Sequence, residues 1–155
     1  MNSVFLMPAN LYGPGDNFDP RTAHVIPDLI RKFVHAQEAG QPSVTLWGTG
    51  SPSRDFLYVD DAAEGVVLAA ARHNDPDPVN LGTGREITIH DLANIIRDAV
   101  GFPGEIVWDH SKPDGQPRRA VSSELATELF GYESRTSFEA GLRATVDWYL
   151  RERPF

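Results

Sequence analysis

The chain has 155 residues, 41% of them apolar and 23% charged, a composition that fits one globular domain and leaves little room for disorder or collagen-like repeats. A chain of this length buries about 70% of the surface its unfolded form exposes, so it can hold a core without disulfides or a structural metal. The absence of cysteine excludes a disulfide framework, a thiolate metal site and a thiol nucleophile, and suits a reducing, cytoplasmic setting. A formal charge of -8 repels a polyphosphate backbone, which argues against nucleic acid as the main partner.

The order of elements reads as alternating strand and helix. Residues 4–7 form a short apolar run stopped by Pro8, suited to a strand buried on both faces. It follows Met1 with no turn or helix before it, as an internal fragment would begin, and it is too short for a signal-peptide core or a bilayer span. Residues 10–20 are dense in turn formers and predict a loop at that strand's carboxyl end, where sites commonly form. Thr22 can cap a helix with Val25, Ile26, Leu29, Ile30, Phe33 and Val34 at helical spacing and Gly40 past its end, which puts His24 near a helix start. Residues 44–47 and 56–59 predict strands around a turn-rich connection, and Asp60 predicts the cap of a helix through about Arg72.

Residues 79–81 predict another strand, broken by Gly82-Thr83-Gly84. Thr88 and Asp91 have capping-box spacing ahead of a helix that Gly101 stops. After a strand at 106–108, the polar run 109–119 predicts a second site loop, locally basic in an acidic chain. Two helices close the sequence, one stopped by Gly131 and one capped at Thr136 or Ser137, whose Leu142, Trp148 and Tyr149 form a core-facing stripe.

The chemistry begins with absences. Gly48-Thr49-Gly50 and Gly82-Thr83-Gly84 have the first gap of a dinucleotide-binding turn, but Ser53 and Ile87 stand where its third glycine belongs. None of the four tyrosines is followed four residues later by lysine, so the proton-donating pair of short-chain dehydrogenases is not in this chain. His35, His73, His90 and His110 have no metal-ligand spacing, and no metal site is expected.

Several motifs in order carry a resemblance: residues 8–18 (P-A-N-L-Y-G-P-G-D-N-F), 24–27 (H-V-I-P), 47–50 (W-G-T-G), 54–61 (R-D-F-L-Y-V-D-D), 80–84 (N-L-G-T-G) and 111–119 (S-K-P-D-G-Q-P-R-R). Together they resemble the carboxyl-terminal half of the GDP-L-fucose synthase family of extended short-chain dehydrogenases. The resemblance implies an α/β fold, the last Rossmann elements plus a small substrate-binding α/β domain over residues 1–155. The amino-terminal dinucleotide-binding half would be absent. It also implies an NADP-dependent enzyme, homodimeric when complete, that epimerises GDP-4-keto-6-deoxy-D-mannose at two carbons and reduces the ketone. This chain alone would be inactive.

By that resemblance His24 is a catalytic acid/base acting with a cysteine that belongs to the absent half, and the chemistry agrees: proton transfer α to a ketone needs a base near neutral pH, which imidazole supplies. A surface or capping histidine is the alternative. Pro8, Ala9, Asn10 and Leu11, with His24, match the nicotinamide-binding stretch, Ala9 replacing a common threonine. Lys32, Trp47, Arg54, Lys112, Asp114 and Arg118 match substrate contacts. A diphosphate needs cations and a nucleotide offers a face for stacking. Against these stand an exposed helix lysine for Lys32, a core tryptophan for Trp47, a salt bridge to Asp55 or Asp60 for Arg54, and a solvated turn for the rest. Ser122 departs from an aspartate frequent in relatives. Other readings are a UDP-sugar 4-epimerase or 4,6-dehydratase, a non-catalytic nucleotide-sugar binding module, and a split enzyme completed by a separate chain. Exposed apolar surface where further strands would pair is expected in each fragment reading.

Overall fold

A computed structural model describes residues 3–154, so Met1 and the reading placed on it lie outside the described residues. The strands are β1 (Phe5–Pro8), β2 (Asn10–Tyr12), β3 (Ser43–Trp47), β4 (Ser53–Arg54), β5 (Phe56–Tyr58), β6 (Pro78–Leu81), β7 (Ile87–Thr88), β8 (Glu105–Asp109) and β9 (Arg118–Arg119). The helices are α1 (Val25–Glu38), α2 (Val59–Arg72), α3 (Ile89–Val100), α4 (Glu124–Phe130) and α5 (Phe138–Glu152). The fold is α/β. Three parallel pairs, β1 with β6, β2 with β5 and β3 with β8, accompany a small sheet in which β4 lies between antiparallel β7 and parallel β9.

Two hydrophobic cores divide the molecule. The larger joins α1, α3 and α5 over the β3–β8 pair and buries Ile26, Ile30, Phe33, Leu92, Ile96, Leu142 and Tyr149. The smaller joins α2 and α4 to β5 and β6 through Leu57, Ala69, Val79, Leu81, Phe130 and Tyr132. The stripe read on α5 is therefore core: Leu142 and Tyr149 are buried and Trp148 packs against them.

Helix boundaries follow local chemistry. Thr88 Oγ1 accepts the Asp91 N–H at 3.0 Å, and Gly101 closes α3 in the left-handed region (φ 80°) where a side chain would be strained. Ser137, not Thr136, caps α5 by accepting the Ala140 N–H, because Thr136 is held by Asp61 instead. Thr22 does not cap α1; its hydroxyl accepts from Asn17, and His24 occupies the cap position without a side-chain cap bond. Asp60 lies in the first turn of α2 and is not its cap; Tyr58, two residues earlier, is the cap residue.

Residues expected in loops form β2, β4, β7 and β9. These strands have two or three residues, too few to show an alternation in sequence, and exist because a partner strand takes their backbone groups. In the opposite sense, β1 is not buried on both faces. It pairs with β6, and Phe5 and Met7 remain 57% and 39% exposed. Val66 and Val67 on α2 are also exposed, and such a concentration of apolar groups is typical of an association surface.

Candidate functional site

A cleft of about 520 Å³ opens at the carboxyl end of β1, lined by Pro8, Ala9, Asn10 and Leu11, by Asp16 and by the start of α1 from His24 to Pro27. Arg54 and Phe56 of the R-D-F motif and Arg119 of β9 complete it. The fold thus brings the residues expected at a nicotinamide, the candidate base and one expected diphosphate ligand into one concavity.

Asp55 assembles these walls. Its carboxylate is fully buried and accepts the Thr83 N–H at 3.1 Å and the Thr83 hydroxyl at 2.6 Å. Its carbonyl accepts the Asn10 side-chain amide at 2.8 Å, and its N–H donates to the Arg119 carbonyl at 3.0 Å. Burial pushes the Asp55 carboxyl pKa up, and the bonds from Thr83 pull the other way. Gly82 is required beside it: a Cβ there would collide with the Asp55 carboxylate and with Val121. The second Gly-Thr-Gly therefore makes room for a structural carboxylate.

Arg54 has no ion pair among the described residues, so the alternative of a salt bridge to Asp55 or Asp60 does not hold; its guanidinium donates to the Ser53 carbonyl at 2.7 Å. Arg119 is exposed and likewise has no ion pair among the described residues. Parallel register sets Ser53 opposite Arg118 and Arg54 opposite Arg119. Partners at one register position point to the same side of a sheet and successive residues to opposite sides, so Arg119 joins Arg54 at the cleft and Arg118 turns away. Arg118 instead forks onto Glu86, with Nη2 on Oε1 at 2.5 Å, and that contact together with a Ser53 hydroxyl bond holds the Glu86 carboxyl below its usual range.

The remaining expected ligands lie outside the cleft lining. Lys32 pairs with Asp28 at 2.7 Å, one turn earlier on α1, while Arg31 takes the other oxygen of the same carboxylate. Trp47 is 71% exposed and so is not a core residue, and the Lys112 ammonium lies 5.7 Å from its ring centroid. Asp114 pins the second loop to the β3–β4 turn. Its two oxygens accept the Thr49 N–H at 2.8 Å and the Thr49 hydroxyl at 2.7 Å, which lower its pKa. Gly48 and Gly50 both sit at positive φ, and a Cβ on Gly50 would strike the Trp108 ring, so the first Gly-Thr-Gly is a turn packed beneath the loop. The loop then reaches the cleft: a Cβ on Gly115 would lie 3.4 Å from the Arg54 guanidinium. Ser122 accepts the Glu124 N–H at 3.3 Å, at the start of α4.

Sequence reasoning missed Arg119, Asp16 and Phe56 as cleft residues. Only pairing with β4 distinguishes Arg119 from Arg118, and β9 is too short to be visible as a strand. Asp16 stands in the D-N-F triplet, where the buried side chain is Phe18, stacked on Tyr149 at 4.6 Å and Trp148 at 5.8 Å between centroids. Among the described residues no group of three or more His, Asp or Glu could hold a metal ion, and no helix is long and apolar enough to cross a membrane.

A profile of the NAD dependent epimerase/dehydratase family matches residues 1–82. GDP-L-fucose synthase 1 of Arabidopsis thaliana is 46% identical over 145 residues, covering 94% of this chain and 45% of the relative. GDP-L-fucose synthase of Escherichia coli strain K12 is 42% identical, with 96% and 49% covered. The crystal structure of a GDP-L-fucose synthetase from Naegleria fowleri bound to NADP superimposes with a TM-score of 0.90 at 34% identity, over 97% of this chain and 47% of that one. The chain spans about half the length of the relatives it matches.

Proposed function

Since this chain belongs to the NAD-dependent epimerase/dehydratase family, we propose that it is the substrate-side half of a GDP-L-fucose synthase, an NADP-dependent enzyme that epimerises and then reduces GDP-4-keto-6-deoxy-D-mannose. The observation that carries this reading is the cleft in which His24, Arg54 and Arg119 meet residues 8–11. A base, two cations without an ion pair among the described residues and an apolar wall match a keto-sugar, a diphosphate and a nicotinamide respectively.

The cofactor fits in part. Leu11 is 42% exposed and gives the ring an apolar face, but the Ala9 and Asn10 N–H groups are already taken by the Leu81 and Asp55 carbonyls. No glycine-rich diphosphate turn is present in the sequence. When bound, NADPH supplies the hydride that reduces the ketone; this chain's own residues orient and bind. Pro8, Ala9, Asn10 and Leu11 hold the nicotinamide end. Arg54 and Arg119 fork onto the diphosphate. His24 takes the proton α to the ketone on one face, a step imidazole suits near neutral pH, and the second acid that protonates the opposite face would come from the half of the enzyme outside this chain. Trp47 with Lys112 offers a stacking surface for the base, joined to the cleft through the loop that Asp114 holds.

The exposed apolar groups of β1 and α2 are where the dinucleotide-binding half of a complete, homodimeric, cytoplasmic enzyme would pack. Calorimetric titration of this chain with GDP, GDP-mannose and UDP-glucose tests the reading. GDP-selective binding is expected. A UDP preference would move it to a UDP-sugar epimerase, and no binding of any nucleotide would refute it.

A further inference from the structure

Asp16 is a cleft residue that the proposed chemistry leaves without a task. It is the only carboxyl among the described residues that line the cleft. One oxygen, Oδ1, accepts the Asn17 N–H at 2.7 Å. The other, Oδ2, is shut off from solvent and has no hydrogen-bond partner among the described residues. A buried carboxylate oxygen without a donor is costly, so a native structure that keeps one normally uses it.

The loop places Asp16 and His24 on the lining of one cleft. Phe18 is fully buried and anchors the loop in the larger core. Asn17 donates its side-chain amide to Thr22 at 2.8 Å, and the Asp19 carbonyl accepts from both Thr22 and Ala23. These bonds fold residues 16–24 back on themselves, so positions eight apart line one wall.

Other charges near His24 are committed or cationic. Asp19 is tied to Arg21, and Asp28 is shared between Arg31 and Lys32. Arg54 and Arg119 stand on β4 and β9 at the same cleft. We propose that Asp16 is the positioning carboxylate of His24, stabilising the imidazolium that forms when the ring takes a proton and offsetting the two arginines across the cleft.

This inference rests on the reading of His24 as the base. In that step the C–H bond α to the ketone breaks. Its proton bonds to the imidazole, its electron pair forms the enolate double bond, and the carbonyl π pair moves onto oxygen. Positive charge appears on the ring at that moment, and a carboxylate already in place favours it without reorganising. Burial raises the Asp16 pKa, while the Asn17 bond and the charge of His24 hold it down. Among the described residues Asp16 makes no hydrogen bond to His24, so the proposed support is charge to charge.

Two measurements on this chain test it. Carbon-detected NMR titration of the Asp16 carboxyl is expected to move upward in His24→Gln, because the cation that favours the ionised form is gone; an unmoved titration would overturn the proposal. Carbethoxylation of His24 by diethyl pyrocarbonate at about pH 6, followed peptide by peptide, is expected to speed up roughly twofold in Asp16→Asn as the protonated ring loses its support. Asp16→Glu should restore the slower rate and Asp19→Asn should leave it unchanged. Equal rates in the wild type and Asp16→Asn, or the same acceleration in Asp19→Asn, would refute the assignment. Neither measurement uses nucleotide, so failed GDP binding would sink the functional reading alone and a flat titration the coupling alone.

Discussion

Replacing Arg119 and Arg118 by alanine one at a time separates two neighbouring cations that sequence cannot rank. The register that sets Arg54 opposite Arg119 places those two guanidinium groups on one side of the small sheet, and Arg118 on the other with Glu86. A charge-assisted bond from arginine to a phosphate contributes about 1.5–3 kcal/mol. Arg119 is solvent-exposed, so the low end applies, about 1.5 kcal/mol or roughly a tenfold rise in Kd for GDP. Arg118→Ala removes the fork on Glu86, outside the cleft, and is expected to leave the GDP affinity within about twofold. Isothermal titration calorimetry reads both, with thermal melts confirming that each variant folds. Raising the salt should narrow the gap between wild type and Arg119→Ala, since the contact is ionic and accessible. Equal losses in the two variants, or a larger loss in Arg118→Ala, would show that strand alternation does not set the cleft.

Phe18→Ala should cost about 3–5 kcal/mol in denaturant unfolding, because the ring is fully buried between Tyr149 and Trp148. Phe5→Ala, at a residue 57% exposed, should change stability by less than about 0.5 kcal/mol. The pH dependence divides by sign. Asp114, Asp109 and Asp91 have folded pKa values below their ordinary 3.8, and that of Asp19 falls to about 2. Their stabilising contribution is complete above the unfolded value and is lost as pH falls through the folded one. Asp55 and Asp16, raised by burial, act in the opposite direction: they bind protons more tightly when folded, so stability from them grows as pH falls toward 3.8 and is lost as pH rises through the folded value. Melting temperature followed from pH 6 to pH 2 should fall steeply on the acid side, less so in Asp114→Asn, whereas Asp55→Asn should remove a contribution of the other sign. An Asp114→Asn profile parallel to the wild type would contradict the assigned bonds to Thr49.

The sequence by itself determined the long elements, because their signals are local. The apolar spacing of α1 and the Thr88 cap and Gly101 stop of α3 depend on neighbours three or four residues away, and each helix formed within a few residues of its expected limits. It also determined the motifs placing His24, Arg54 and residues 8–11 at strand and helix ends. Tertiary structure decided which of these side chains share a space. The short strands β2, β4, β7 and β9 carry no pattern of their own. They appear only when a distant segment accepts their backbone groups, as Asp55 does for Asn10 and Pro117 does for Ser53. From that pairing follows which of Arg118 and Arg119 lines the cleft, and a contact across 65 residues makes Asp114 a loop anchor, whereas the pair of Lys32 with Asp28 is local to α1. A charged residue's sequence position fixes its chemistry; the partner that reaches it first in three dimensions fixes whether that chemistry faces a ligand.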